Sequence, residues 1–181
     1  MRAVALDEFG DPDVLYTCDL PEPEPGPDDL LVKVHASSMN PVDTKIRRNG
    51  LGMERSFPLV TGYDVSGVVE AVGENVDRFS VGDEIYGSPS LARNGAHAEK
   101  VLIDAQTAAA KPESLDHSEA AALPLVTLTA WEALHDRAQI HEGETVLIHA
   151  GAGGVGHIGI QLAKLHGCTV YTTASRDESI E

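Results

Sequence analysis

The stretch ETVLIHAGAGGVGHIGIQLAKLHGCTVYTTA, Glu144 to Ala174, decides the fold of the C-terminal part of the chain. ETVLIHA is a nearly unbroken apolar run. That composition predicts a parallel strand covered on both faces. It leads directly into G-x-G-x-x-G, formed by Gly151, Gly153 and Gly156. A helix pattern follows, with Val155, Ile158, Leu162 and Leu165 as its apolar stripe. Gly167 stands where a helix C-terminus is usually closed. CTVYTTA then begins a second strand, which completes one βαβ unit.

A glycine triplet alone is a weak signal. Between a strand and a helix, with a second strand at the right distance, it is the pattern of a dinucleotide cradle. The first glycine permits the tight turn, the second lets backbone amides approach a pyrophosphate, and the third lets helix and strand pack closely. The helix N-terminus adds unpaired N–H groups and a positive dipole. Gly151, Gly153, Gly154, Val155 and Gly156 are therefore the expected cofactor contacts. About 20 residues beyond the glycines, where an acidic residue would bind a ribose 2′-OH, the chain has Ser175 and Arg176. A hydroxyl followed by a guanidinium suits a 2′-phosphate, which favours NADPH. Asp177 keeps NADH in play as the less favoured cofactor.

Upstream, the first half reads as short strands divided by turns. They begin near Ala3–Leu6, LLVKVHA, VSGVVEAV, VGDEIYG and HAEKVLI. LLVKVHA alternates, with Val32, Val34 and Ala36 on one face and Leu31, Lys33 and His35 on the other. Gly67 inside VSGVVEAV marks a bend or a close backbone approach. PEPEPGPDD, Pro21 to Asp29, is a stiff connector. Such a series of short strands predicts a small barrel or sandwich. Helix begins near Ser114. There Asp116 and Glu119 stand at capping-box spacing, Pro124 interrupts, and the pattern resumes at Thr127. Trp131 reads as a core residue.

Composition sets outer limits. Of 181 residues, 13 are Lys or Arg and 29 Asp or Glu, a net charge of −16. Nucleic acid is an unsuitable partner for that surface. The acidity fits either an ordinary soluble enzyme or adaptation to high salt, where self-repulsion is screened. No run approaches the roughly 20 apolar residues of a membrane span, and no signal-peptide pattern opens the chain. Two cysteines, Cys18 and Cys168, make no disulfide framework. A cytoplasmic location is the expectation.

MRAVALDEFGDPDVL, ASSMNPVDTKIRRNG, FPLVTGYDVSGVVEAVGENVDRFSVGDEIYG, AAALPLVTLTAWEAL and AGAGGVGHIGIQLAKLHGC, taken together and in this order, resemble the medium-chain dehydrogenase/reductase superfamily. Within it they are most similar to the zinc-free quinone oxidoreductase group that includes zeta-crystallin. The resemblance implies a GroES-like β-barrel catalytic domain over residues 1–125. The first βαβ unit of a Rossmann domain follows over 126–181, stopping short of a complete sheet. It also implies NADPH as cofactor, a quinone or enone as substrate, and a homodimer for the full-length protein. An uncovered two-strand sheet would leave this chain unstable or self-associating.

Zinc-dependent members place a Cys in the loop matching ASSMNPVD and a His-Glu pair where this chain has Tyr63-Asp64. Neither is present, so no metal site is expected, and the electrophile must be activated by hydrogen bonds. Asn40 and Tyr63 are the candidate donors, with Asp43 orienting the loop. By resemblance Thr129 would lie near the nicotinamide, supported by Thr127 and Pro124. The basic run Lys45, Arg47 and Arg48 is expected on a solvated face, with attraction of an anionic ligand as its second reading. Lys45 stands where that group often has an aromatic.

Overall fold

The fold is described from a computed structural model, over residues 1–175. Arg176 and Asp177, the residues that bear on cofactor choice, lie outside the described residues. The chain divides into two compact units, Met1–Pro124 and the segment from Leu125 onward.

The first unit is antiparallel throughout. Strands β1 (Arg2–Leu6), β2 (Tyr16–Asp19) and β4 (Leu59–Val60) form a three-stranded sheet in the order β2-β1-β4. Strands β3 (Asp29–Ala36), β5 (Val65–Val72), β6 (Glu84–Gly87), β7 (Lys100–Asp104) and β8 (Ala108–Ala110) form a second, in the order β7-β3-β5-β6-β8. The two sheets are stitched by the segment just before β7. Val4 N–H donates to His97 O and Glu99 N–H to Arg2 O, while Val34 N–H reaches Glu99 O from the other sheet. The barrel-like closure expected from many short strands is built this way.

Its core is the inward face of the larger sheet. Leu30, Val32, Val65, Ile85 and Ile103 are fully buried, and Phe79 and Val101 pack against them. The alternation read in β3 holds beyond Leu31, since Lys33 and His35 turn outward while Val34 packs inward. The register between β3 and β5 slips between Leu31 and Val32 and again between Val34 and Ala36. Gly67 lies at that irregularity. A Cβ there would fall on Lys33 O and come within 2.9 Å of Val32 Cγ1. The close approach expected at this glycine is therefore present. At the start of β3, Arg93 grips Asp29 through two N–H···O bonds of 2.7 and 2.9 Å. These bonds hold the Asp29 carboxyl below its ordinary pKa.

Helix α1 (Pro41–Asn49) follows β3, and a short helix α2 (His117–Ala121) closes the unit. The α2 capping box is present: Asp116 accepts from Glu119 N–H at 2.8 Å and Glu119 from Asp116 N–H at 2.9 Å. On α1, Lys45 and Arg48 are exposed as expected, but Arg47 is buried. The basic run is thus not a single solvated face. Its middle residue falls on the inward side with Asp43 and Ile46, one helical turn apart.

The second unit opens with α3 (Pro124–Trp131), begun by its proline in the favoured N-terminal position and extended by a π-helical stretch, Glu132–Arg137. Trp131, expected in the core, is half-exposed and stacks on His135 with ring centroids 4.1 Å apart. Strand β9 (Thr145–Ile148), helix α4 (Gly154–Leu165) and strand β10 (Thr169–Thr172) make the βαβ unit, with β9 and β10 parallel and Val146 opposite Val170. Helix α4 ends in a Schellman motif. Cys168 N–H reaches Ala163 O, Gly167 N–H reaches Lys164 O, and Gly167 adopts φ +82°.

Two details differ from the sequence pattern. The buried face of α4 is Gly156, Gly159 and Ala163, whereas Val155 is 40% and Leu165 85% exposed. Close packing selects the small residues, because β9 runs against the helix backbone. The strands are also covered on one face only among the described residues. Val146, Ile148 and Val170 meet Leu134, Ile140 and Ala163, while the cross-strand pair Leu147 and Tyr171 faces outward.

Gly67→Ala is expected to destabilise the first unit by about 2 kcal/mol, because neither the Lys33 carbonyl nor the β5 backbone can retreat freely. Denaturant unfolding followed by circular dichroism measures this. An unchanged midpoint would show that the strand pair relaxes to admit the methyl group.

Candidate functional site

The glycine turn lies at the C-terminal end of β9. Ala150 takes a left-handed conformation, φ 55°, and Gly151 N–H pairs with Thr173 O at 3.0 Å beside the end of β10. The glycines of the motif play different parts. A Cβ on Gly151 would fall on Thr172 Oγ1 and lie 2.7 Å from Ile160 Cδ1. On Gly156 it would fall on Ala150 O and lie 2.9 Å from Gly151 Cα. Both are demanded by the chain's own packing.

Gly153 is less constrained. A Cβ there would meet only Ala150 O, at 3.1 Å, a tight contact that asks for a shift of a few tenths of an ångström rather than a clash, and its φ of −83° suits any residue. It is the N-cap of α4, and no side chain caps the helix. The first-turn amides of Gly154, Val155 and Gly156 lack intrahelical acceptors by geometry, and the helix dipole points its positive end the same way. A side chain at Gly153 would stand in front of these donors. This is the arrangement a pyrophosphate needs, so the residues present fit a dinucleotide. Gly154 has ordinary clearance, 3.4 Å from Val126 Cγ1, and Thr127 is half-buried on α3.

Beside the turn is a cleft of about 580 Å³ lined by His149, Ala150, Ala152, Gly153, Thr173, Ala174 and Ser175. Thr173 Oγ1 accepts from Ala150 N–H at 3.1 Å and lies 3.2 Å from His149 Nδ1. Ser175 therefore borders the space next to the glycines. His149 and Thr173 are wall residues that the motif reading passed over, although both flank it directly in sequence or pairing. Thr129 donates its hydroxyl to Leu125 O at 2.7 Å, one turn back along its own helix.

The other expected residues gather in the first unit around Asp64, which is fully buried. Its Oδ2 accepts from Ser38 Oγ at 2.5 Å and from Asn40 Nδ2 at 2.7 Å. Asn40 Nδ2 also donates to Ser38 Oγ at 3.2 Å, and Ser37 Oγ to the Asp64 carbonyl at 2.7 Å. Asn40 is the N-cap of α1 and only 6% exposed. The two oxygens of Asp43 accept from Asn40 N–H at 2.7 Å and Gly62 N–H at 2.8 Å.

Tyr63 stands apart from this network. Its ring is 0% exposed and packs with Leu6, Ile46 and Leu59, and among the described residues its hydroxyl meets no hydrogen-bond partner at normal geometry. Burial raises its pKa, and the nearby Arg55 guanidinium works against that rise. A phenol sealed in this way reaches no substrate. Asp64 and Ser38, by contrast, were not among the expected site residues. Their signal in the sequence was a carboxylate set immediately before a buried strand; the serine-bearing loop it meets is 26 residues away in the chain and adjoins it only in space.

As a metal site the cluster is poor. Ser38, Asn40 and Asp64 offer two neutral donors and one carboxylate, whereas zinc is held by thiolates, imidazoles and carboxylates. Among the described residues no group of three or more His, Cys, Asp or Glu side chains is placed to hold a metal ion. Among them, too, no helix is long and apolar enough to cross a membrane.

Comparison with known proteins agrees with this geometry. Residues 26–113 match the alcohol dehydrogenase GroES-like domain. The chain is 39% identical to human quinone oxidoreductase over 98% of its own length and 54% of that protein. It is 43% identical to a zinc-type alcohol dehydrogenase-like protein of Staphylococcus aureus (strain COL), over 88% of this chain and 49% of that one. A mycobacterial protein solved in complex with NADPH superposes with a TM-score of 0.85 at 40% identity, covering 99% of this chain and 55% of the other. The chain spans about half the length of the curated relatives it matches. With the GroES-like domain, the parallel βαβ unit and these relatives in agreement, the chain belongs to the medium-chain dehydrogenase/reductase superfamily.

Proposed function

We propose that this chain carries the cofactor cradle and part of the catalytic domain of an NADPH-dependent reductase of quinones or α,β-unsaturated carbonyls, working without a metal. The observation that carries the cofactor reading is Gly153, where among the described residues an added Cβ would meet only Ala150 O, at 3.1 Å, while Gly151 and Gly156 are closed off by direct overlap. Gly154, Val155 and Gly156 would present their amides to the pyrophosphate, Gly151 would keep the turn against β10, and Ser175 with Arg176 would meet a 2′-phosphate. The cofactor would supply a hydride when bound. The chain's own part is to hold it, exclude water and place a donor against the oxygen on which negative charge develops.

Asn40 is the proposed donor. Of its two amide bonds, the one to Ser38 is longer at 3.2 Å than the one to Asp64 at 2.7 Å. A substrate oxygen would take over the longer bond, with Asp64 still holding the amide. Asp43 fixes the backbone on which Asn40 sits. Thr129 and Thr127 are proposed to border the nicotinamide, and Tyr63 to serve packing alone. A second reading, a nucleotide-binding module without turnover, is favoured by one fact: both Asn40 amide hydrogens and the Thr129 hydroxyl already have intramolecular acceptors.

Gly153→Ala is expected to weaken NADPH binding at least about tenfold with a smaller fall in melting temperature than Gly156→Ala, because the methyl obstructs ligand more than protein. Gly156→Ala is expected to lower the melting temperature. NADPH fluorescence titration and thermal denaturation separate the two, and undiminished NADPH affinity in Gly153→Ala would sink the cradle. Arg176→Ala should weaken NADPH more than NADH. An equal loss for both would remove the case for 2′-phosphate recognition. With NADPH and a series of quinones, Asn40→Ala should lower kcat by about a hundredfold, the usual scale for one lost oxyanion donor, while Tyr63→Phe leaves kcat unchanged. Cofactor binding without any NADPH oxidation by the wild-type chain would favour the second reading.

A further inference from the structure

A second cavity, of about 510 Å³, opens in the first unit and is bordered by Ser37 and Met39 of the Ser37–Asn40 loop. Ser38 and Asn40 bind the Asp64 carboxylate, whereas Met39 lines this cavity. Its walls are largely apolar, supplied by Val4, Leu15, Met39, Ala96 and Ala98. One cation lines it, Arg47 of α1.

Arg47 is 8% exposed, so more than nine-tenths of the residue is out of water. Among the described residues its Nε has no hydrogen-bond partner and its guanidinium has no ion pair. A buried guanidinium left unpaired is strongly unfavourable unless something else supplies the counter-charge. Asp43, one turn earlier on the same helix face, also lines the cavity but makes no ion pair with Arg47 among the described residues; its two oxygens accept from the Asn40 and Gly62 amides, which fix the carboxylate in place and leave its charge intact. His97, on the opposite wall, is also engaged, with Nδ1 3.1 Å from Thr61 Oγ1 and Nε2 3.4 Å from Ser38 O.

We infer that this cavity binds a small monocarboxylic acid with an apolar body, its carboxylate on the Arg47 guanidinium and its body against Val4, Leu15 and Met39. The planar fork of arginine matches a carboxylate bidentately, and the apolar walls disfavour a fully hydrated ion such as inorganic phosphate. The chain's net charge of −16 works against adventitious anions, so binding must come from this local match.

The test is calorimetric titration of the intact chain with hexanoate, using hexanol as the neutral probe of equal body and acetate as the head without the body. Hexanoate should bind saturably, and each control at least about tenfold more weakly. Arg47→Met keeps the length of the side chain and removes the charge. It should weaken hexanoate at least tenfold, leave hexanol unchanged and raise the melting temperature. No saturable hexanoate binding, equal affinity for hexanol, or undiminished binding to Arg47→Met would each overturn the inference. Should Arg47→Met fail to fold, Arg47 has a structural partner and the inference is equally overturned.

Discussion

The second unit depends on one contact that only a hydrogen atom can make. The first turn of α4 lies so close to the β9 turn that a Cβ on Gly156 would occupy the place of Ala150 O. This approach lays the helix flat on the strand pair through Gly156, Gly159 and Ala163, with the small Cys168–Ala163 contact closing its far end. It also decides where the helix begins, and so where its unpaired amides point. An anion bound there would be held as a consequence of packing rather than by an added device. Ala150, forced to φ 55°, bears the backbone strain of the arrangement.

The first unit is organised around a different constraint, the burial of Asp64. A carboxylate taken wholly out of water must be surrounded by donors. Ser38, Asn40 and the loop that carries them are drawn in to supply these. Asp43 performs the same service in reverse, using its charge to gather the amides of Asn40 and Gly62. The result is a rigid polar knot at the N-terminus of α1. Where relatives of the zinc-using kind would need thiolate and imidazole, this chain has a hydroxyl, an amide and a carboxylate bonded to one another.

What was legible in the sequence was local. The strand–glycine–helix–strand order could be read because period, turn residues and the C-terminal glycine all act within a few residues. The Asp116–Glu119 box and the close approach at Gly67 were legible for the same reason. What escaped depended on contacts distant in sequence. Arg47 sits in a polar run, yet it falls on the buried side of α1 with Asp43 and Ile46. Tyr63 reads as a candidate donor, but Leu6, Ile46 and Leu59 enclose it. The stripe on α4 looked hydrophobic at Val155 and Leu165, while the packing chose glycine and alanine. Asn40 was found by its resemblance and position, and its tie to Asp64 could not be, because 24 residues separate the two.

The central claim is that backbone amides at the start of α4, kept clear by Gly153, hold the cofactor's pyrophosphate. Amide chemical shifts recorded during an NADPH titration test it most directly. The account predicts that the resonances of Gly153, Gly154, Val155 and Gly156 move together and saturate, with the Ala150 and Ser175 amides following to a smaller degree. Saturable NADPH binding that leaves those four amides unmoved would contradict it.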